Sequence, residues 1–117
     1  MVNPANIDRR IRDSSRRQIT SSTTQTLTNF SDEQVIVCTG TTTLTLPAPS
    51  AAGITVTLIQ LGAGTTSVVL GAGFNAAGNT TAALDSDKDS ITVKSWYDTV
   101  SLTYKWTLVC NNGATLS

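Results

Sequence analysis

The chain has 117 residues, eight basic and eight acidic, with no histidine, 5% aromatic and 14% charged residues. That length suits one domain with an appendage rather than two cores. A net charge of +0 argues against a general nucleic-acid binder, which needs a basic stripe to neutralise phosphates, and the missing histidine removes the commonest general base and metal ligand.

The charge is unevenly placed. All five arginines, Arg9, Arg10, Arg12, Arg16 and Arg17, fall in the first 17 residues against Asp8 and Asp13, and the remainder holds three lysines against six acidic residues. Residues 4–17 could form one short helix, with Pro4 in its first turn, Asn3 as cap, and Ile7 and Ile11 four apart on one face. Two apolar positions make such a helix marginal alone, so an extended arm is equally compatible. The polar stretch "QITSSTTQTLTN" at 18–29 reads as an extended linker or an edge strand. Residues 1–30 are therefore an arm and linker, and residues 31–117 a β-domain. No apolar core follows the basic residues, so no secretory signal is expected, and no run of about twenty apolar residues predicts a membrane span.

From residue 34 the hydrophobic period becomes two. "QVIVCTG" ends at Gly40, "TTTLTLP" alternates Leu44 and Leu46 with threonine, and "ITVTLIQ" puts Ile54, Val56 and Leu58 on one face. "SVVL", "TTAAL" and "SITVKSW" follow, the last with Ile91 and Val93 inward. In "TVSLTYKWTLVC" the residues Val100, Leu102, Tyr104, Trp106, Leu108 and Cys110 share one parity, predicting either one long strand or two joined by a tight turn near Tyr104-Lys105. Glycine-rich turns between these runs predict an all-β fold of short antiparallel strands, as a sandwich, barrel or β-prism. The phrases "VIVCTGTTTL" and "TLVCNNGATL" echo each other, which places them at similar edge positions rather than in a solenoid. The core is thin in large side chains, so self-association is expected to supply missing burial.

Catalytic and ligand signatures fail on inspection. No serine sits in a G-x-S-x-G elbow, and Cys38 and Cys110 each end an apolar run, as separate buried thiols rather than nucleophiles or a bridge. "DSDKDS" opens like a calcium loop with Asp85, Asp87 and Asp89, yet Ser90 stands where glycine is needed and Trp96 where a bidentate glutamate is needed. "GAGFNA" lacks the βαβ context of a dinucleotide site. Neither metal nor cofactor is expected, and no enzymatic role. Trp96, Tyr97, Tyr104 and Trp106 could stack on sugars, but in so aromatic-poor a chain they read as core and oligomer-interface mass.

The stretch "TTTLTLPAPSAAGITVTLIQLGAGTTSVVLGAG" resembles a module common in bacteriophage virion appendages: tail fibres, head fibres and capsid decoration proteins. Such modules end in a D-S-V-T-L strand, a W-x-x-V strand and an Asn-Gly tail, matched here by Asp98-Thr99-Val100-Ser101-Leu102, by Trp106-Thr107-Leu108-Val109 and by Asn112-Gly113. The usual Asp-Gly turn between these strands is missing. The resemblance implies a homotrimeric virion protein, assembled in the cytoplasm of a bacterial host: a capsid decoration (cement) protein or short head fibre, or alternatively a receptor- or glycan-binding tail-fibre module. With it, Ile7, Arg9, Arg10, Ile11, Arg12, Arg16 and Arg17 become candidates for docking on the major capsid protein or another virion protein. Arginine suits that task because its planar fork grips carboxylates bidentately. Trp96, Tyr104 and Trp106 become candidates for the oligomer interface or core, and no specific nucleic acid or membrane is expected as a partner.

Overall fold

The computed structural model describes residues 16–21, 25–26, 33–71 and 73–117. Ten strands follow in chain order: β1 (Arg16–Ser21), β2 (Gln25–Thr26), β3 (Glu33–Thr39), β4 (Thr42–Thr45), β5 (Thr55–Leu61), β6 (Thr66–Val69), β7 (Thr81–Leu84), β8 (Ser90–Asp98), β9 (Thr103–Asn112) and β10 (Thr115–Leu116). The all-β expectation holds, as a sandwich of two five-stranded sheets ordered β1-β3-β5-β8-β9 and β10-β7-β6-β4-β2.

Pairing direction differs from the expectation of antiparallel strands. From β1 to β6 the chain alternates between the sheets, so β1, β3 and β5 lie parallel in one and β2, β4 and β6 parallel in the other. Parallel neighbours need a long crossover, commonly a helix. Here that crossover is a strand of the opposite sheet. From β6 onward the chain turns back: β6–β7, β5–β8, β8–β9 and β7–β10 are antiparallel. A period of two reports a strand but not its direction, because both pairings alternate side chains alike.

The echoing phrases are β3–β4 and β9–β10, each carrying the chain from the first sheet to the second through a glycine with positive φ, Gly40 and Gly113. Only the second pair lies at the sheet edges; β3 and β4 are covered by β1 and β2. The stretch 18–29 meets its edge-strand reading in β1 and β2. Arg16 and Arg17 start β1 instead of ending a helix, and positions 4–15 of the expected helix lie outside the described residues.

Inward residues from both sheets form one core. Ile36, Cys38, Val56, Leu58, Ile91, Val93 and Trp106 of the first sheet meet Leu44, Val68, Ala82 and Leu84 of the second, closed by Leu46, Ile54, Leu70 and Phe74. The predicted inward sets Ile54/Val56/Leu58 and Ile91/Val93 are therefore buried. Gln60 and Thr66 are polar side chains fully inside: the Gln60 amide donates to the Gly40 carbonyl at 3.0 Å and accepts from the Thr66 hydroxyl. Its backbone accepts from Lys88 N–H and donates to the Asp89 carbonyl, so Gln60 ties three corners at one end of the sandwich.

Candidate functional site

Register defines the opposite end of the first sheet. Arg16, Glu33, Thr55, Lys94 and Thr107 form one line across it, strand by strand. β1 begins on that line, so the attachment point of residues 1–15 is at this end. β8 and β9 continue past the line. Their last tie to the body is Ser95, which exchanges backbone hydrogen bonds with Gly53 and Ile54 and whose hydroxyl donates to the Ala51 carbonyl at 2.7 Å. Beyond it, three further residues of β8 and the turn project by about 10 Å at ~3.4 Å per residue.

The turn falls at 99–102, which corrects two expectations. Thr99, Val100, Ser101 and Leu102, matched above to a strand, are the turn itself, while Tyr104 and Lys105, the turn of the two-strand alternative, lie inside β9 opposite Tyr97 and Trp96. The cause is Asp98. Its carboxylate accepts from the N–H groups of Val100 and Ser101, its carbonyl accepts from Leu102 N–H, and Lys105 Nζ pairs with it at 2.8 Å. This short-range capping of the turn by an Asp side chain outcompetes the alternation that suggested a strand. Lys105 and the Val100 N–H hold the Asp98 carboxyl well below the usual carboxylate range. A depressed pKa stabilises the tip above the ordinary carboxylate range, and that contribution disappears as pH falls through the lowered value.

The projecting hairpin is apolar and open. Val100 is 92% exposed, Leu102 68%, Trp96 and Tyr97 42% each, and Tyr104 38%. The Tyr97 and Tyr104 rings contact each other at 5.0 Å between centroids, tilted by 59°. Trp106 alone of the β8–β9 aromatics is core, 3% exposed, its indole N–H donating to the Pro47 carbonyl at 2.8 Å. The aromatic set thus divides: Trp106 packs inside, and Trp96 and Tyr104 are available to a partner. Beside the root of the hairpin opens a pocket of about 130 Å³ lined by Leu46, Pro49, Leu70, Gly71, Tyr104, Lys105, Trp106 and the exposed Ala48.

Of the other candidates, Cys38 is buried and its thiol is pushed up to about 11 by burial, a state with negligible thiolate at neutral pH. Cys110 is exposed, correcting its expected burial. A bulge between Thr92 and Val93 sets Val93 opposite Leu108 but Thr92 opposite Cys110, which reverses the parity of β9 and turns Cys110 to solvent. The "DSDKDS" carboxylates are taken up by backbone donors: Asp89 accepts from the N–H groups of Asp85 and Ser86 within the turn, and Asp87 from Gly62 N–H of the β5–β6 corner at 2.7 Å. Among the described residues no three histidine, cysteine or acidic side chains are grouped to hold a metal ion.

Arg16 and Arg17 are placed on β1 at the hairpin end, while Ile7, Arg9, Arg10, Ile11 and Arg12 lie outside the described residues. Sequence reasoning missed Val100 and Leu102 as surface residues; the available signal was Asp98, a turn-capping residue, with Thr99 and Ser101 interleaved. A scan against models of known protein families finds no match to this chain, and a search of curated proteins finds no relative.

Proposed function

We propose that this chain is a structural protein of a bacteriophage virion, a capsid decoration protein or short head fibre, non-enzymatic and self-associating as a trimer. Its arginine-rich arm docks it on the major capsid protein or another virion protein. The observation that carries this reading is polarity: β1 starts at Arg16 on the same end of the sheet from which the apolar hairpin projects. The arm is thereby attached at the end of the body that also carries the exposed hairpin. Clustered arms in an assembly raise each other's effective concentration, so weak contacts sum to stable attachment. Protein contact suits the exposed aromatics better than sugar stacking, since rings tilted at 59° do not present one flat platform.

Replacing Arg9, Arg10 and Arg12 together by glutamine leaves β1 intact and tests the docking. Retention on purified particles, read by sedimentation and gel densitometry, is expected to fall at least about ten-fold. Undiminished occupancy contradicts arm-mediated docking.

A further inference from the structure

We infer that the tip of the β8–β9 hairpin is the contact between copies of this chain, with Leu102 of one copy seated in the pocket beside the hairpin root of the next. Three observations converge on a second copy as the occupant. The first is area. Tyr97 and Tyr104 on one face of the hairpin, with Val100 and Leu102 at its tip, are 42%, 38%, 92% and 68% exposed, an open apolar surface that supplies part of the roughly 800 Å² each partner gives to a stable interface.

The second is the backbone of Leu102. It adopts φ 59°, a left-handed conformation that strains a bulky side chain and that asparagine or glycine takes at little cost. A leucine held there closes the turn through its N–H on the Asp98 carbonyl, but its side chain stays 68% open to solvent. Strain of this kind marks a residue whose use lies outside the monomer.

The third is fit. The pocket measures about 130 Å³, and its walls include Leu46, Leu70, Pro49, Tyr104 and Trp106 together with Lys105, whose ammonium is paired with Asp98 at 2.8 Å. A protein cavity of about 150 Å³ takes up a benzene molecule, so this one has room for a leucine side chain. Knob and hole occur on the same chain at the same end, the condition for a contact that repeats from copy to copy. In a closed ring each copy gives one knob and receives one. The hairpin's charges raise no barrier, because Asp98 is paired with Lys105 and leaves Lys94 as the remaining charge on these strands beyond the body's centre. A two-stranded hairpin is marginal in water without something to pack on, and a neighbouring copy supplies it.

The inference deepens the self-association part of the reading above and uses no virion contact. Sedimentation velocity of the full chain at micromolar concentrations tests it with two variants. Leu102→Asn removes the knob while keeping a residue suited to φ 59°, and Ala48→Phe fills the hole from its exposed rim. The wild type is expected to sediment as an assembly of 12.3 kDa copies, and both variants as single folded copies by circular dichroism, with association weakened at least about ten-fold. A wild type that stays at one copy overturns both this contact and the self-association proposed above. An assembly unchanged in Leu102→Asn overturns this contact alone, and loss in Leu102→Asn without loss in a folded Ala48→Phe overturns the pocket as its seat.

Discussion

Gly64→Ala is expected to destabilise the fold by about 3 kcal/mol or more, a large fraction of typical domain stabilities of about 5–15 kcal/mol. Gly64 sits in the corner between β5 and β6 at φ 119°, outside the range that residues with a Cβ adopt readily. A Cβ there would also overlap the carbonyl of Gly40 and lie 2.9 Å from its Cα, backbone that cannot swing aside. Gly40 is itself fixed from the other side, because its carbonyl accepts the buried Gln60 amide at 3.0 Å. Relieving the clash therefore means breaking the hydrogen bond that satisfies Gln60, and an unmatched buried amide adds its own desolvation cost. Gly71→Ala is the matched control: φ is 75° but nothing lies within 4 Å of the added methyl, so it is expected to cost only about 1 kcal/mol. Urea unfolding at one fixed protein concentration measures both. Equal losses in the two variants would show that conformation alone, and not the approach of the two corners, makes glycine necessary at 64.

Trp106→Ala is expected to cost about 3–5 kcal/mol, the range for deleting a large buried aromatic. Trp106 is the largest side chain of the core and bridges the sheets, packed with the inward residues of β8 and bonded through its indole N–H to Pro47, next to β4. Losing it removes burial, leaves the Pro47 carbonyl without that donor, and loosens the root of the projecting hairpin. Trp106→Phe separates these contributions. It keeps most of the apolar volume and is expected to cost about 1–2 kcal/mol, chiefly the hydrogen bond. The same unfolding series reads both, and an alanine variant within about 1 kcal/mol of wild type would mean that β9 is held by its ladder rather than by this side chain.

Strand existence was legible where side chains alternated between core and solvent, β5 and β8 appearing where period-two patterning puts Leu58 and Ile91 inward, and β3 where the apolar run "QVIVC" stands. Strand partners were not. The loop between β4 and β5 and the one between β5 and β6 carry the same Pro and Gly signals as hairpin turns, yet each crosses from one sheet to the other, and local sequence does not encode that distinction. The terminal hairpin was misplaced for a different reason. Val100 and Leu102 continue the parity of Trp106 by coincidence, and the capping by Asp98 decides the turn through hydrogen bonds that hydrophobic periodicity ignores. Cys110 was misassigned because a one-residue bulge, invisible in the alternation, inverts everything beyond it. Of the candidate site, Trp96, Tyr104 and Trp106 were visible as aromatics in a poor background, but which of them faces the core depended on where β8 outruns its neighbours. The arginine cluster was plain from composition, whereas its attachment at the hairpin end emerges only from the register of β1 on β3.

The proposed contacts place the partners of the molecule at the end where the hairpin projects. Hydrogen exchange of the full chain at two widely separated concentrations tests it directly. Amides of residues 95–106 are expected to slow as concentration rises, while those of 85–89, at the opposite end, stay unchanged. Exchange that is independent of concentration throughout, or slowing confined to 85–89, would contradict it.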